Sequence, residues 1–285
     1  MNMLRRNFLA SAALASVAGA ATKRIVPSLE LYSVRKDLAK DMPATLKAVA
    51  GAGYKGVEFF GPYADWTADK AKETRKLIDD LGLVCLSAHT GVKYFTPEHL
   101  DRVIELNSIL GSKYMMMSSA GQIKKLDEWK GVAEKLNNAA QKLKPLSKGT
   151  GFHNHQLEFT PLEGTKPMEL LAKETSKDVV LQLDVGTCIE AGTDPIAWIN
   201  ANPGRIKSTH MKDYKAAMAS REEGYRVLFG EGSANWKGII DAMLKTGGTE
   251  HFIIEQEGSQ YSEIETVTKC LQNLKKMFPK LVASK

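Results

Sequence analysis

Short apolar runs alternate with amphipathic stretches along this chain, and the apolar runs end on polar residues. Leu83-Val84-Cys85-Leu86, Gly151-Phe152, Val179-Val180-Leu181-Gln182-Leu183, Ile206-Lys207-Ser208-Thr209 and Phe252-Ile253-Ile254 lead into His89, His153 and His155, Asp184, His210 and Glu255. Such runs, separated by helical periodicity, read as buried parallel strands. A strand is predicted near Pro27 to Ser33, a helix from Pro43 to Ala52, a strand from Gly56 to Phe60 and a helix from Thr67 to Leu81. Further strands are predicted near 83–88, 113–118, 150–154, 179–184, 206–211 and 251–256, which makes eight. Gly53, Gly82 and Gly111 lie 29 residues apart, each between a helix and the next strand, as expected of a helix-ending glycine in a repeated unit. Pro43, Pro97 and Pro195 stand at helix starts, where a missing N–H costs nothing, and the helix after the sixth strand is expected to begin near Asp194-Pro195. Alternating strands and helices demand a parallel sheet with right-handed crossovers, and eight such units favour a single-domain TIM (β/α)8 barrel over residues 21–285.

Residues 1–20 stand apart from this pattern. A basic start through Arg6, an apolar stretch from Phe8 to Ala18 and the small residues Ala18-Gly19-Ala20 describe an export signal, and Arg5-Arg6-Asn7-Phe8-Leu9 carries the paired arginines of the twin-arginine route. The apolar stretch is shorter than the roughly 20 residues that span a bilayer, so no membrane anchor is expected in the mature form. The twin-arginine route moves folded proteins, which places the mature chain in the periplasm and lets a metal be loaded inside the cell. Hydrophobic content of 43% and charged content of 25% are those of an ordinary soluble protein. Removing Arg5 and Arg6 leaves 37 Lys+Arg against 33 Asp+Glu, a mild +4 with the lysines scattered, so no nucleic-acid partner is expected. Cys85, Cys188 and Cys270 are odd in number and widely spaced and define no disulfide framework.

In a TIM barrel the active site lies at the carboxyl ends of the strands, where the polar residues above fall. Charge there is costly to desolvate unless it is paired or holds a ligand, and imidazoles with carboxylates point to a divalent metal. Asp184 is a bare carboxylate after a buried run, with a helix cap as its bland alternative. Lys212 shares the strand face of His210, and Glu257 that of Glu255. His153 and His155 alternate onto one face, with Glu158 just beyond them, and one of the three is expected to complete a metal shell. His89 and Glu58 end their strands as candidate substrate contacts, Glu58 equally as a rim ion pair. Trp66 and Trp236 are candidates to cover an apolar sugar face, with structural packing the favoured role for either. The loop Phe229-Gly-Glu-Gly-Ser-Ala-Asn-Trp has glycines but no lysine and no strand of its own, so it is not a phosphate loop.

Leu29-Glu-Leu-Tyr-Ser-Val-Arg, Gly56-Val-Glu-Phe-Phe-Gly, Leu86-Ser-Ala-His, Gly151-Phe-His-Asn-His-Gln-Leu-Glu-Phe, Leu183-Asp-Val-Gly, His210-Met-Lys-Asp and Gly230-Glu-Gly together resemble the sugar phosphate isomerase/epimerase family of the xylose-isomerase-like barrel superfamily. The resemblance spans essentially the whole mature chain. It implies a TIM barrel with one divalent ion (manganese, cobalt, zinc or magnesium) held by residues of strands five to eight, with Asp184, His210 and Glu255 matching the ligands of the last three. The strand-five ligand is glutamate in the ketose epimerases, whereas this stretch begins with His153, so Glu158, His153 and His155 stay open for that place. Thr187 stands where those epimerases carry a substrate-touching histidine, which argues against a simple ketohexose epimerase. Dimers are common among such proteins, and the resemblance carries that expectation over.

The chemistry these groups can perform is proton removal next to a carbonyl. Chelation of a keto sugar by a divalent ion acidifies the α proton, Glu255, Glu158, His153 or His155 can take it, and Lys212 or His89 can neutralise the enediolate. Return of the proton gives an isomerase or epimerase, the leading expectation, on an unphosphorylated keto sugar or keto glycoside. Loss of a β substituent gives a lyase acting on a keto glycoside or inosose. A periplasmic sugar-binding barrel without turnover is the reading from another class, and an endonuclease is disfavoured by the absence of a basic face.

Overall fold

The computed structural model describes residues 25–282, and the export segment predicted over residues 1–20 lies outside the described residues. Eight strands form in chain order: β1 (Ser28–Glu30), β2 (Gly56–Phe59), β3 (Val84–Gly91), β4 (Tyr114–Ser119), β5 (Gly149–His153), β6 (Val180–Asp184), β7 (Ser208–Met211) and β8 (His251–Ile254). Each pairs in parallel with the next, and β8 returns to β1 through Ser28↔Ile253 and Leu29↔Ile254, closing the barrel. The chain is thus a single TIM barrel, as its alternation predicts. No helix among the described residues is long and apolar enough to cross a membrane.

Local chemistry explains most boundaries. The helix Ala68–Asp80 starts where Thr67 Oγ1 accepts the N–H of Lys70 at 3.1 Å, and Met42–Ala52 ends at Gly53, whose φ of 104° favours a residue without Cβ. β1 stops three residues earlier than expected, because Glu30 Oε1 accepts the N–H of Tyr32 at 3.2 Å and turns the chain into a 3-10 segment, Leu31–Val34. β3 instead runs on to Gly91, which places His89 within the strand. The largest difference follows β6. A short helix, Val185–Glu190, begins there at once, and the expected start at Asp194-Pro195 belongs to the next one, Pro195–Ala201.

Strand alternation divides the buried residues between two cores. Leu29, Val57, Phe152, Leu181, Leu183, Phe252 and Ile254 face outward and pack with helix residues such as Leu46, Ile78, Leu136, Val267 and Leu274. Each such side chain contributes about 1.5–3 kcal/mol on leaving water. Inside the barrel, Tyr114, Met116 and Val180 form a separate apolar plug near the amino ends of the strands. A Cβ on Gly151 would lie 2.2 Å from the Val180 carbonyl oxygen and 2.7 Å from Met116 Cε, so only glycine lets the plug close there. Above the plug the interior turns polar.

Candidate metal centre and cavity

The upper interior is lined by inward-facing positions of adjacent strands: His153 on β5, Asp184 on β6, His210 on β7, and Glu255 just past β8. One donor atom from each of these four lies within 4.8 Å of the other three, and all four residues are buried. His153 Nδ1 and Asp184 Oδ2 have no hydrogen-bond partner although both are buried. The nearest cation to Asp184 Oδ2 is Lys212 Nζ, 3.9 Å away. Buried polar atoms without partners are costly, and a divalent cation among two imidazoles and two carboxylates would satisfy both. The donor set therefore fits a metal of the manganese, cobalt or zinc kind, with magnesium less suited to the imidazoles.

A second polar layer supports this set from below. His210 Nδ1 faces Glu255 Oε2 at 2.9 Å, while its Nε2 meets Glu58 Oε2 on the opposite side. Glu58 Oε1 accepts from Ser87 Oγ and from Gln182 Nε2 at 2.9 Å, and Gln182 Nε2 also reaches Ser208 Oγ at 2.8 Å. Gln182 Oε1 lies 2.6 Å from His89 Nε2. Burial opposes charge on His210, yet Glu58 and Glu255 outweigh it and hold the imidazolium well above its ordinary range. Burial likewise works against ionised Glu255, but Lys212 and His210 hold it well below the usual carboxylate range. Asp184 is pushed up to about 6 by burial, with Lys212 opposing. Burial and the neighbouring imidazoles keep His153 neutral, its pKa well below the ordinary value.

A cavity of about 1150 Å³ opens above the cluster, with His89, His153, His155 and Glu255 in its wall. His155 is exposed at the mouth, its ring 5.0 Å from that of His153. Lys212 lies beneath the rim, 3.8 Å from Glu255 Oε2 and paired with Glu257.

Three sequence expectations change. Glu158 does not join the cluster: a 3-10 turn, Leu157–Phe159, folds its carboxylate back so that Oε2 accepts the N–H of His155 at 2.7 Å, leaving His153 as the strand-five donor. Glu58 is not a substrate contact, because it is fully buried beneath His210 and outside the cavity wall. Trp236 is not one either; it is buried against Phe229 at 4.5 Å and donates Nε1–H to Asp213 Oδ2 at 2.8 Å. Asp184 combines both of its readings, since Oδ1 accepts the N–H of Thr187 at 2.9 Å and caps the helix Val185–Glu190 while Oδ2 points into the cluster.

Sequence reasoning passed over Glu30, Gln182, Asn154 and Asp213. Glu30 ends β1 and lines the cavity, and Gln182 shares the inward face of Asp184, so strand parity could have found both. Asn154 binds the Asp184 N–H at 3.0 Å and Thr187 Oγ1 at 2.9 Å. Asp213 accepts the N–H groups of Tyr214, Gly230, Gly232 and Ala234 as well as Trp236 Nε1–H, an arrangement no local pattern signals.

Residues 46–277 match the family model of the xylose isomerase-like TIM barrel. Among curated proteins, the chain is similar to the rhizopine catabolism protein MocC of Rhizobium meliloti, 27% identical over 143 residues that cover 46% of this chain and 43% of that protein. It is also similar to an inosose dehydratase of Lacticaseibacillus casei, 26% identical over 144 residues covering 46% and 48%. The chain spans about half the length of these curated relatives. Over nearly its whole length it resembles the crystal structure of a sugar phosphate isomerase/epimerase from Parabacteroides distasonis, with a TM-score of 0.75, 26% identity and coverage of 95% of this chain and 100% of that one.

Proposed function

Because the chain belongs to the xylose isomerase-like TIM barrel family, we propose that it is a metal-dependent enzyme that removes the proton α to the carbonyl of an unphosphorylated keto sugar or keto glycoside, acting as an isomerase or epimerase. The observation that carries this reading is the buried set His153, Asp184, His210 and Glu255, with two atoms lacking hydrogen-bond partners, beneath an open cavity. A divalent ion held there supplies Lewis acidity to a carbonyl and its neighbouring hydroxyl. His155 stands exposed at the cavity mouth, where its imidazole is placed to accept the proton. Glu255 reaches the cavity wall as the carboxylate alternative. Lys212, kept charged by Glu255, Asp184 and Glu257 against the cost of burial, balances the negative charge that develops on the substrate oxygens. His89, in the cavity wall beside His153 and His210, is the further group placed to contact substrate. The glycine loop after β7 offers no phosphate cradle, because the N–H groups of Gly230, Gly232 and Ala234 already point at Asp213. The twin-arginine reading of residues 1–20 adds a periplasmic setting, where unphosphorylated sugars are met.

The similarity to an inosose dehydratase favours one further reading, elimination of a β substituent after the same proton removal. Both are tested by incubating the manganese-loaded protein with keto sugars, 3-keto glycosides and inososes in deuterated buffer and following the α C–H signals by proton NMR. Deuterium entering with the carbon skeleton intact supports isomerase or epimerase chemistry, and an unsaturated product supports the lyase. Sugar binding with no exchange across the panel overturns both in favour of a binding barrel.

A further inference from the structure

His210 is an imidazole between two carboxylates. Its Nδ1 faces Glu255 Oε2 at 2.9 Å and its Nε2 faces Glu58 Oε2. Glu255 belongs to the four-residue donor set with His153 and Asp184, so Nδ1 is the nitrogen turned toward that set and Nε2 the one turned away from it. Glu58 has little freedom behind it. It is fully buried on β2, its Oε1 is held by Ser87 of β3 and Gln182 of β6, and Gln182 is itself tied to Ser208 of β7 at 2.8 Å. Side chains from three other strands therefore fix one carboxylate at the back of one imidazole.

We propose that Glu58 is a positioning residue of the metal centre: it accepts the Nε2–H of His210, fixing the tautomer and ring angle so that the Nδ1 lone pair is aimed between Asp184, Glu255 and His153. The assignment rests on the metal reading above. A buried carboxylate on the far nitrogen of a ligating histidine raises the basicity of the ligand and removes the entropy of ring rotation. The competing arrangement is a second ion among Glu30, Glu58, His89 and His210, whose donor atoms also lie within 4.8 Å of one another. Against it, His89 Nε2 is engaged by Gln182 Oε1 at 2.6 Å, and Glu58 already meets Ser87, Gln182 and His210.

Zinc affinity, measured by competition with a chromophoric chelator, is expected to fall by about 10- to 100-fold in Glu58→Gln. Wild-type affinity in that variant, or two zinc ions per unmutated chain, overturns the assignment. Removal of a buried carboxylate can also disturb folding, so the tautomer is read independently on the unmutated protein. In the zinc-loaded, ¹⁵N-histidine-labelled chain, the His210 signals, identified by their loss in His210→Ala, are expected to show a protonated Nε2 and a zinc-shifted Nδ1. A protonated Nδ1 with zinc on Nε2 overturns the proposal. A chain that takes up no zinc overturns the metal centre and the assignment together. Weakened zinc binding in Glu58→Gln supports the assignment even where the unmutated enzyme exchanges no α proton, an outcome that removes only the proposed reaction.

Discussion

Asp184 illustrates how a single side chain serves structure and chemistry at once, one oxygen capping a helix and the other facing the donor set. Replacing it together with His210, as Asp184→Asn, His210→Ala, is expected to reduce bound metal from about one ion per chain to background, read by elemental mass spectrometry. Retention of the ion by the double variant would exclude this cluster as its site. The pH dependence follows from the same carboxyl. Its native pKa of about 6 lies above the ordinary aspartate value of 3.8, so in the metal-free protein its contribution to stability is present below about pH 4 and is lost as pH rises through about 6. A cation needs the ionised form, and it must also displace a proton from His210, whose imidazolium is held well above its ordinary range. The rise in Tm on adding manganese should therefore be small near about pH 5 and large near about pH 7.5; equal rises would contradict this linkage.

At the scale of elements, one cap and one clasp shape the rim. Asp184→Asn retains an acceptor for Thr187 N–H and should leave the Tm of the metal-free protein nearly unchanged, whereas Asp184→Ala removes the cap and should cost about 0.5–2 kcal/mol in denaturant unfolding. The clasp is Asp213, whose two oxygens gather donors from Tyr214 to Trp236 and fold the loop after β7 onto itself. A Cβ on Gly232 would meet Asp213 Oδ1 at 2.1 Å, so this glycine serves close approach to a carboxylate. Asp213→Ala should cost on the order of 2–3 kcal/mol and open residues 214–235 to limited proteolysis; an unchanged digestion pattern would show that the loop holds without it. The helix–strand rhythm was legible in the chain because apolar periodicity and the glycines at 53, 82 and 111 are local signals. Which donors reach the cluster was legible only as far as strand parity carries: Asp184, His210, Glu255 and His153 lie on inward positions, while the turn that diverts Glu158 depends on a backbone N–H that spacing does not reveal. Trp236 packs, as favoured, but its partner Asp213 was not legible, since it lies 23 residues away and comes beside it only when the loop folds.

For the molecule as a whole, the interior is layered from apolar to polar along the barrel axis. Tyr114, Met116 and Val180 fill the amino end, the Glu58–Gln182–Ser208 layer lies above them, and the donor set lies beneath the cavity. Such layering follows from packing eight parallel strands whose inward positions must be filled, and it confines polar chemistry to the carboxyl end. Among the described residues, the chamber opens at the mouth and the apolar plug stands at its other end, so whatever enters at the mouth departs by the same route before a successor can be admitted. Under the proposed reaction, entry and exit share that mouth and a lingering product excludes fresh substrate: initial-rate measurements should show product inhibition that is competitive, and overcome by raising substrate concentration.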